Sequence, residues 1–122
     1  MSELAGLRVL IVEDEGAVAL LIEDMLLDLG CDIAGSAADL DAACRLASSE
    51  SLDLALLDLN LAGSSSLPVA EILRRRGIPL VFSTGYGVGS LPAEFQSYPT
   101  LAKPYVLSAL QAKILLALGR TH

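Results

Sequence analysis

Histidine occurs once in this chain, at the C-terminal His122, and tryptophan not at all. With its one imidazole on a terminal residue, where disorder is the default, the sequence offers no candidate for a catalytic histidine. Cysteine is confined to Cys31 and Cys44, which form neither a Cys-x-x-Cys pair nor a cluster with histidine. Neither a disulfide framework nor a zinc site is indicated, and buried reduced thiols are the plain reading. Basic residues are also scarce: 8 lysines and arginines stand against 15 aspartates and glutamates, a net charge of -7. So acidic a chain lacks the basic face that nucleic acid or an anionic membrane requires, so proteins or cations are the expected partners. No apolar run is long and uninterrupted enough to span a bilayer, and residues 1–6 lack the basic start and apolar centre of a signal peptide. The expected compartment is the cytoplasm.

What is present is a core. The 122 residues are 53% hydrophobic and 19% charged, the balance of a single folded domain of ordinary size. "LRVLIVEDE" opens with a β-branched and aliphatic run, Leu7 to Val12, that reads as a buried strand ending in acid. From Gly16 the spacing turns helical, with Val18, Leu21, Ile22, Met25 and Leu29 on one face and Gly30 as the stop. Residues 31–35 read as a short second strand closed by Gly35. Leu40, Ala43, Cys44 and Ala47 fall at i, i+3, i+4 and i+7 of a second helix, which Ser36 or Asp39 is placed to cap. "LALLD" is a third strand, "AGSSS" a loop, and Ser66 a candidate cap for a helix that tolerates its early Pro68, buries Val69, Ile72 and Leu73, and ends at Gly77.

"IPLVFST" is a fourth strand. The stretch "GYGVGSLPAEFQSYP" carries three glycines and two prolines, so at most a turn or two of helix is expected there. "TLAK" is a short fifth strand, and Pro104 precedes a last helix striped by Leu107, Leu110, Ile114 and Leu118. Five strands joined through helices are parallel with right-handed crossovers. The expected fold is a doubly wound five-stranded α/β domain whose fourth helix is short or mobile.

Asp58 ends the apolar run "LALLD", and an unpaired buried carboxylate is costly enough that partners are expected. In doubly wound sheets functional groups gather beyond the carboxyl ends of the strands. Glu13 and Asp14 follow the first strand, Asp58 ends the third, Thr84 the fourth and Lys103 the fifth. If those strands are neighbours, three acids, a hydroxyl and an ammonium converge on one pocket. Clustered carboxylates repel unless they share a cation, and hard oxygen donors at a wet site suit Mg2+. Asp58 beside such a cation is a nucleophile able to attack phosphorus, with Lys103 and Thr84 available to the transferring oxygens.

"VLIVEDE", "LALLDLNL", "PLVFSTGYG" and "LAKPY", in that order and each at a strand end, resemble the motifs of the receiver domains of two-component response regulators, the CheY-like, flavodoxin-like fold. The resemblance covers nearly the whole chain. "FSTGYG" with "DLNLAGSSSLPVAEIL" is further similar to a single-domain subgroup with a Phe-x-Thr-Gly-Tyr motif, which implies partnership with HWE or HisKA2-type sensor histidine kinases or a histidine phosphotransferase. Carried over, Asp58 is the phosphoacceptor; Asp14, Asp58 and the Asn60 backbone carbonyl are Mg2+ ligands, with Glu13 acting through water; Thr84 and Lys103 receive phosphoryl oxygens. The resemblance also implies slow autodephosphorylation rather than enzymatic turnover. Where many receivers have an aromatic switch residue this chain has Thr100, and Tyr86 is the candidate substitute, a ring that could also lie over the acyl phosphate.

Other readings stand beside this one. Alone, Glu13 and Asp14 are more often charges complementing a helix dipole, and Arg74, Arg75 and Arg76 a solvated helix end. Gly85, Gly87 and Gly89 are no phosphate-binding loop, because no Gly-Lys-Ser/Thr follows. An aspartyl-phosphate-type phosphatase is disfavoured because Asn60 stands where a second acid is needed. A phosphate-independent protein-interaction module remains the rival. With only a stub after the last helix, residues 1–122 read as one receiver without an output domain. Leu115 and Leu116 fit self-association as a dimer about as well as core packing.

Overall fold

The computed structural model describes residues 4–84, 91–102 and 105–119. Five parallel strands, β1 (Arg8–Val12), β2 (Asp32–Ala37), β3 (Leu54–Asp58), β6 (Leu80–Thr84) and β7 (Thr100–Ala102), form one sheet in the order β2-β1-β3-β6-β7. Helices α1 (Gly16–Asp28), α2 (Leu40–Ser49), α3 (Leu67–Arg75) and α4 (Leu107–Ala117) connect or flank them. The expected doubly wound class is what the chain adopts. Between β6 and β7 the described residues hold a single turn of 3-10 helix, Ala93–Phe95, as the prolines and glycines of that stretch require.

Alternation along the strands divides the core into two layers. Leu10, Val12, Ala55, Leu57, Leu80 and Phe82 face α2 and α3. Val9, Ile11, Leu54, Leu56 and Val81 face α1 and α4. Each central strand is therefore apolar on both sides, which is why its sequence shows no polar alternation. Phe82, Phe95 and Tyr98 stack edge to face within the first layer, with centroids 5.6–5.9 Å apart.

Local chemistry sets most boundaries. Asp39, one of two candidate caps, accepts the Ala42 N–H at 2.8 Å and starts α2. At Gly30 (φ +89°) the chain leaves α1 through paired bonds, Cys31 N–H to Leu26 O and Gly30 N–H to Leu27 O, the left-handed exit that glycine permits. Arg74 and Arg75 pair with Glu71 on the surface of α3. Arg76 instead sends its guanidinium to the carbonyls of Ala47 and Glu50, closing the open end of α2.

Four sequence expectations are corrected. The second strand runs through Gly35 to Ala37, because an extra residue opposite Val9 and Leu10 shifts the register instead of ending the strand. The stretch 62–66 is not loop throughout: Ser64–Ser65 form β5, which pairs antiparallel with β4 (Asn60–Leu61) across a two-residue turn. Ser66 makes no capping bond: its Oγ is buried without a hydrogen-bond partner, and Ser65 Oγ accepts the Leu67 N–H at 3.2 Å instead. On α1 Leu26 is buried and Leu21 is 44% exposed, since so leucine-rich a helix has more apolar residues than one face can hide. Among the described residues no helix is long and apolar enough to cross a membrane.

Candidate functional site

Strand order reverses between β1 and β3, the central neighbours from which the chain steps outward to β2 on one side and to β6 and β7 on the other. Crossover connections leave the sheet on both sides of that point and open a crevice beyond the strand ends. Glu13 and Asp14 stand at the end of β1, and Asp58 ends β3. One carboxylate oxygen from each of the three lies within 4.8 Å of the others. Glu13 is 2% exposed and Asp58 7%, so neither is a solvated surface charge. Glu13 and Asp14 also lie immediately before the N-terminus of α1, whose N-cap is Glu15, so a place at the positive end of the helix dipole and a place in the pocket coincide.

Backbone amides hold two of these acids in place. The Asn60 N–H donates to Asp58 Oδ1 at 3.2 Å. The Ala62 N–H donates to Asp14 Oδ2 at 2.9 Å, tying the hairpin after β3 to the acid after β1. The hairpin is itself closed by the Asn60 side chain, whose Oδ1 accepts the Gly63 N–H at 2.8 Å. Both turn residues have positive φ, 51° at Ala62 and 92° at Gly63, as a two-residue hairpin demands. Only glycine takes that conformation without cost, so Ala62 is strained.

The donor set fits Mg2+. All three side chains offer hard oxygens, and their 4.8 Å spread is close to the roughly 4.2 Å between opposite ligands of an octahedral Mg2+ at about 2.1 Å. Thr84, 4% exposed, ends β6 beside Asp58, whose partner across the ladder is the adjacent Ser83. Lys103 and Tyr86 lie outside the described residues. Thr100 begins β7 opposite Phe82 and offers no aromatic ring; Tyr98 occupies the aromatic trio two residues earlier.

One pair went unnoticed in the sequence. The hydroxyls of Ser83 and Tyr105 hydrogen-bond to each other in the α1/α4 layer. The available signal was a lone serine inside the apolar run "PLVFST" and a tyrosine entering the last helix.

Three carboxylates thus gather at the switch point of a five-stranded parallel sheet, the architecture of a receiver-type signalling domain. The chain belongs to the response regulator receiver domain family, whose profile matches residues 9–114. It is 32% identical over 117 residues to the transcriptional regulatory protein PdtaR of Mycobacterium tuberculosis, covering 93% of this chain and 57% of that one. It is 35% identical to the phyllosphere-induced regulator PhyR of Methylorubrum extorquens, over 91% of this chain and 43% of the relative. This chain thus spans about half the length of the curated relatives it matches. Among solved structures, SdrG from Sphingomonas melonis superposes with a TM-score of 0.81 at 39% identity, covering 97% of this chain and 98% of that one. A second SdrG structure, described as the BeF3-activated conformation, gives a TM-score of 0.77 at 38% identity, over 93% and 97% of the two chains.

Proposed function

We propose that the chain is a response regulator receiver that accepts a phosphoryl group on Asp58, with Mg2+ held by Asp14, Asp58, the Asn60 carbonyl and, through water, Glu13. The observation that carries this reading is the convergence of three carboxylates from two neighbouring strand ends, with Thr84 on the next strand. The BeF3-activated form of SdrG supports it, because that anion is a phosphoryl mimic. In the transfer an Asp58 oxygen bonds to phosphorus as the bond from phosphorus to the donor's histidine nitrogen breaks. The imidazole leaves with the electron pair. Mg2+ at this site supplies positive charge to the transferring oxygens. Thr84 and Lys103 are assigned to those same oxygens, and slow return to the free aspartate follows by attack of water on the acyl phosphate.

The proposed donor is a sensor histidine kinase of the HWE or HisKA2 type, or a histidine phosphotransferase, supported by the Phe82-Ser83-Thr84-Gly85-Tyr86 run. The proposed output is protein binding or onward phosphotransfer in the cytoplasm. A net charge of -7 supports partners other than nucleic acid.

The test is intact-protein mass after incubation with acetyl phosphate and Mg2+, for wild type and Asp58→Asn in parallel. One Mg2+-dependent phosphoryl adduct on wild type, absent from the variant, is expected. No adduct on folded wild type with either acetyl phosphate or phosphorylated kinase would favour the phosphate-independent binding module.

A further inference from the structure

Ser83 occupies a singular place in the sheet. It pairs with Asp58 on β3 and with Leu101 on β7, and it immediately precedes Thr84. Alternation from Phe82, which faces the α2/α3 layer, turns the Ser83 side chain toward α1 and α4. There its hydroxyl meets that of Tyr105, whose ring is 8% exposed and packs in the same layer as Leu110 and Ile114. Tyr105 comes two residues after Lys103 and two before α4 begins at Leu107. The hydroxyl pair therefore ties the end of β6, which carries Thr84, to the entry of α4.

The surrounding layer is apolar. Dispersion contacts there fix distances loosely, whereas a hydrogen bond between two buried hydroxyls is directional and strengthened by the low local dielectric. The bond is thus a directional constraint between the β6 end and the entry to α4. A cavity of about 10 Å3, walled by Ile22, Leu56, Val81 and Leu101, adjoins the pair, room for one water at most.

We infer that Ser83 and Tyr105 are positioning residues for phosphoryl transfer: their hydrogen bond fixes the end of β6, which carries Thr84, against the entry to α4. The inference rests on the phosphoacceptor reading above. Neither residue touches the phosphoryl group. Their loss loosens the alignment of the groups that do, which slows transfer without removing the acceptor.

A double-mutant cycle tests it. Phosphorylation of wild type, Ser83→Ala, Tyr105→Phe and the double variant by acetyl phosphate at saturating Mg2+ is followed by intact mass, with urea unfolding of each protein measured in parallel. Each single variant is expected to lower the transfer rate about threefold to tenfold, with the double variant no slower than the slower single one. Ser83→Thr, which keeps the hydroxyl, restores at least half the rate. Variants that lose stability but phosphorylate at the wild-type rate, or single effects that multiply in the double variant, overturn the inference while leaving the phosphoacceptor reading intact. Failure of wild type itself to form the adduct overturns both.

Discussion

The Ala62 amide lies 2.9 Å from Asp14 Oδ2, so a hairpin that follows β3 holds an acid that follows β1, 48 residues earlier in the chain. That contact depends on an alanine in a conformation alanine disfavours, with φ at 51°. The site thus keeps local strain to present one backbone N–H to one carboxylate, strain of the order of 1–2 kcal/mol for an L-residue at positive φ.

Asn-Gly is the favoured pair for such a two-residue turn. Ala62→Asn is therefore expected to raise stability by about 0.5–1 kcal/mol in urea unfolding, since Asn tolerates the left-handed region better. An unchanged or lower midpoint would show that the turn relaxes around Ala62 and stores no strain.

Mg2+ should stabilise the fold. A ligand that binds only the native state adds about 2.7 kcal/mol when present at a hundred times its dissociation constant. The melting temperature of wild type is expected to rise with added MgCl2 and to fall back with EDTA. Asp14→Asn, whose amide oxygen can still accept the Ala62 N–H, should lose most of that rise. An equal rise in NaCl matched for ionic strength would mean general screening of a chain of net charge -7 rather than binding.

The two thiols give a pH prediction. Burial, and secondarily the Asp32 carboxylate, pushes the Cys31 thiol above its ordinary pKa; burial and then Asp41 do the same to Cys44. A raised folded-state pKa means the native protein keeps a proton the unfolded chain has released. The resulting stability is fully present below the unfolded thiol pKa, near 8.5, and is lost as pH rises through the folded value. The urea midpoint of wild type should therefore decline above about pH 8.5, and Cys31→Ala should decline less. Iodoacetamide should label the half-buried Cys44 before the buried Cys31; the reverse order would contradict the packing of Cys31 in the α1/α4 layer.

How much of this was legible beforehand depended on the range of the interaction. Strands such as Leu54 to Leu57 announce themselves because both faces are buried, and Gly30 and Gly77 mark helix ends through local backbone chemistry. The acid triad was legible because the rule linking strand ends to a crevice is topological, and Glu13 and Asp58 each follow directly on an apolar run, with Asp14 next to Glu13. The hairpin at 60–65 was hidden because Ala62 stands where Asn or Gly would have signalled a turn. Leu26 was missed because α1 has apolar residues on too many sides for periodicity to select one face. The Ser83–Tyr105 bond joins residues that only the tertiary fold brings together, and a serine in a strand or a tyrosine before a helix is silent alone.

The central claim is that Asp58 is the acceptor. The most direct measurement is chemical trapping: phosphorylate wild type with acetyl phosphate and Mg2+, reduce with borohydride, and sequence the peptides by mass spectrometry. Reduction of an acyl phosphate converts its aspartate to homoserine, and the account predicts homoserine at position 58 alone, only when Mg2+ was present. Homoserine at Asp14, the longer 5-hydroxynorvaline at Glu13, or no reduced residue in a folded and Mg2+-saturated protein, would contradict it.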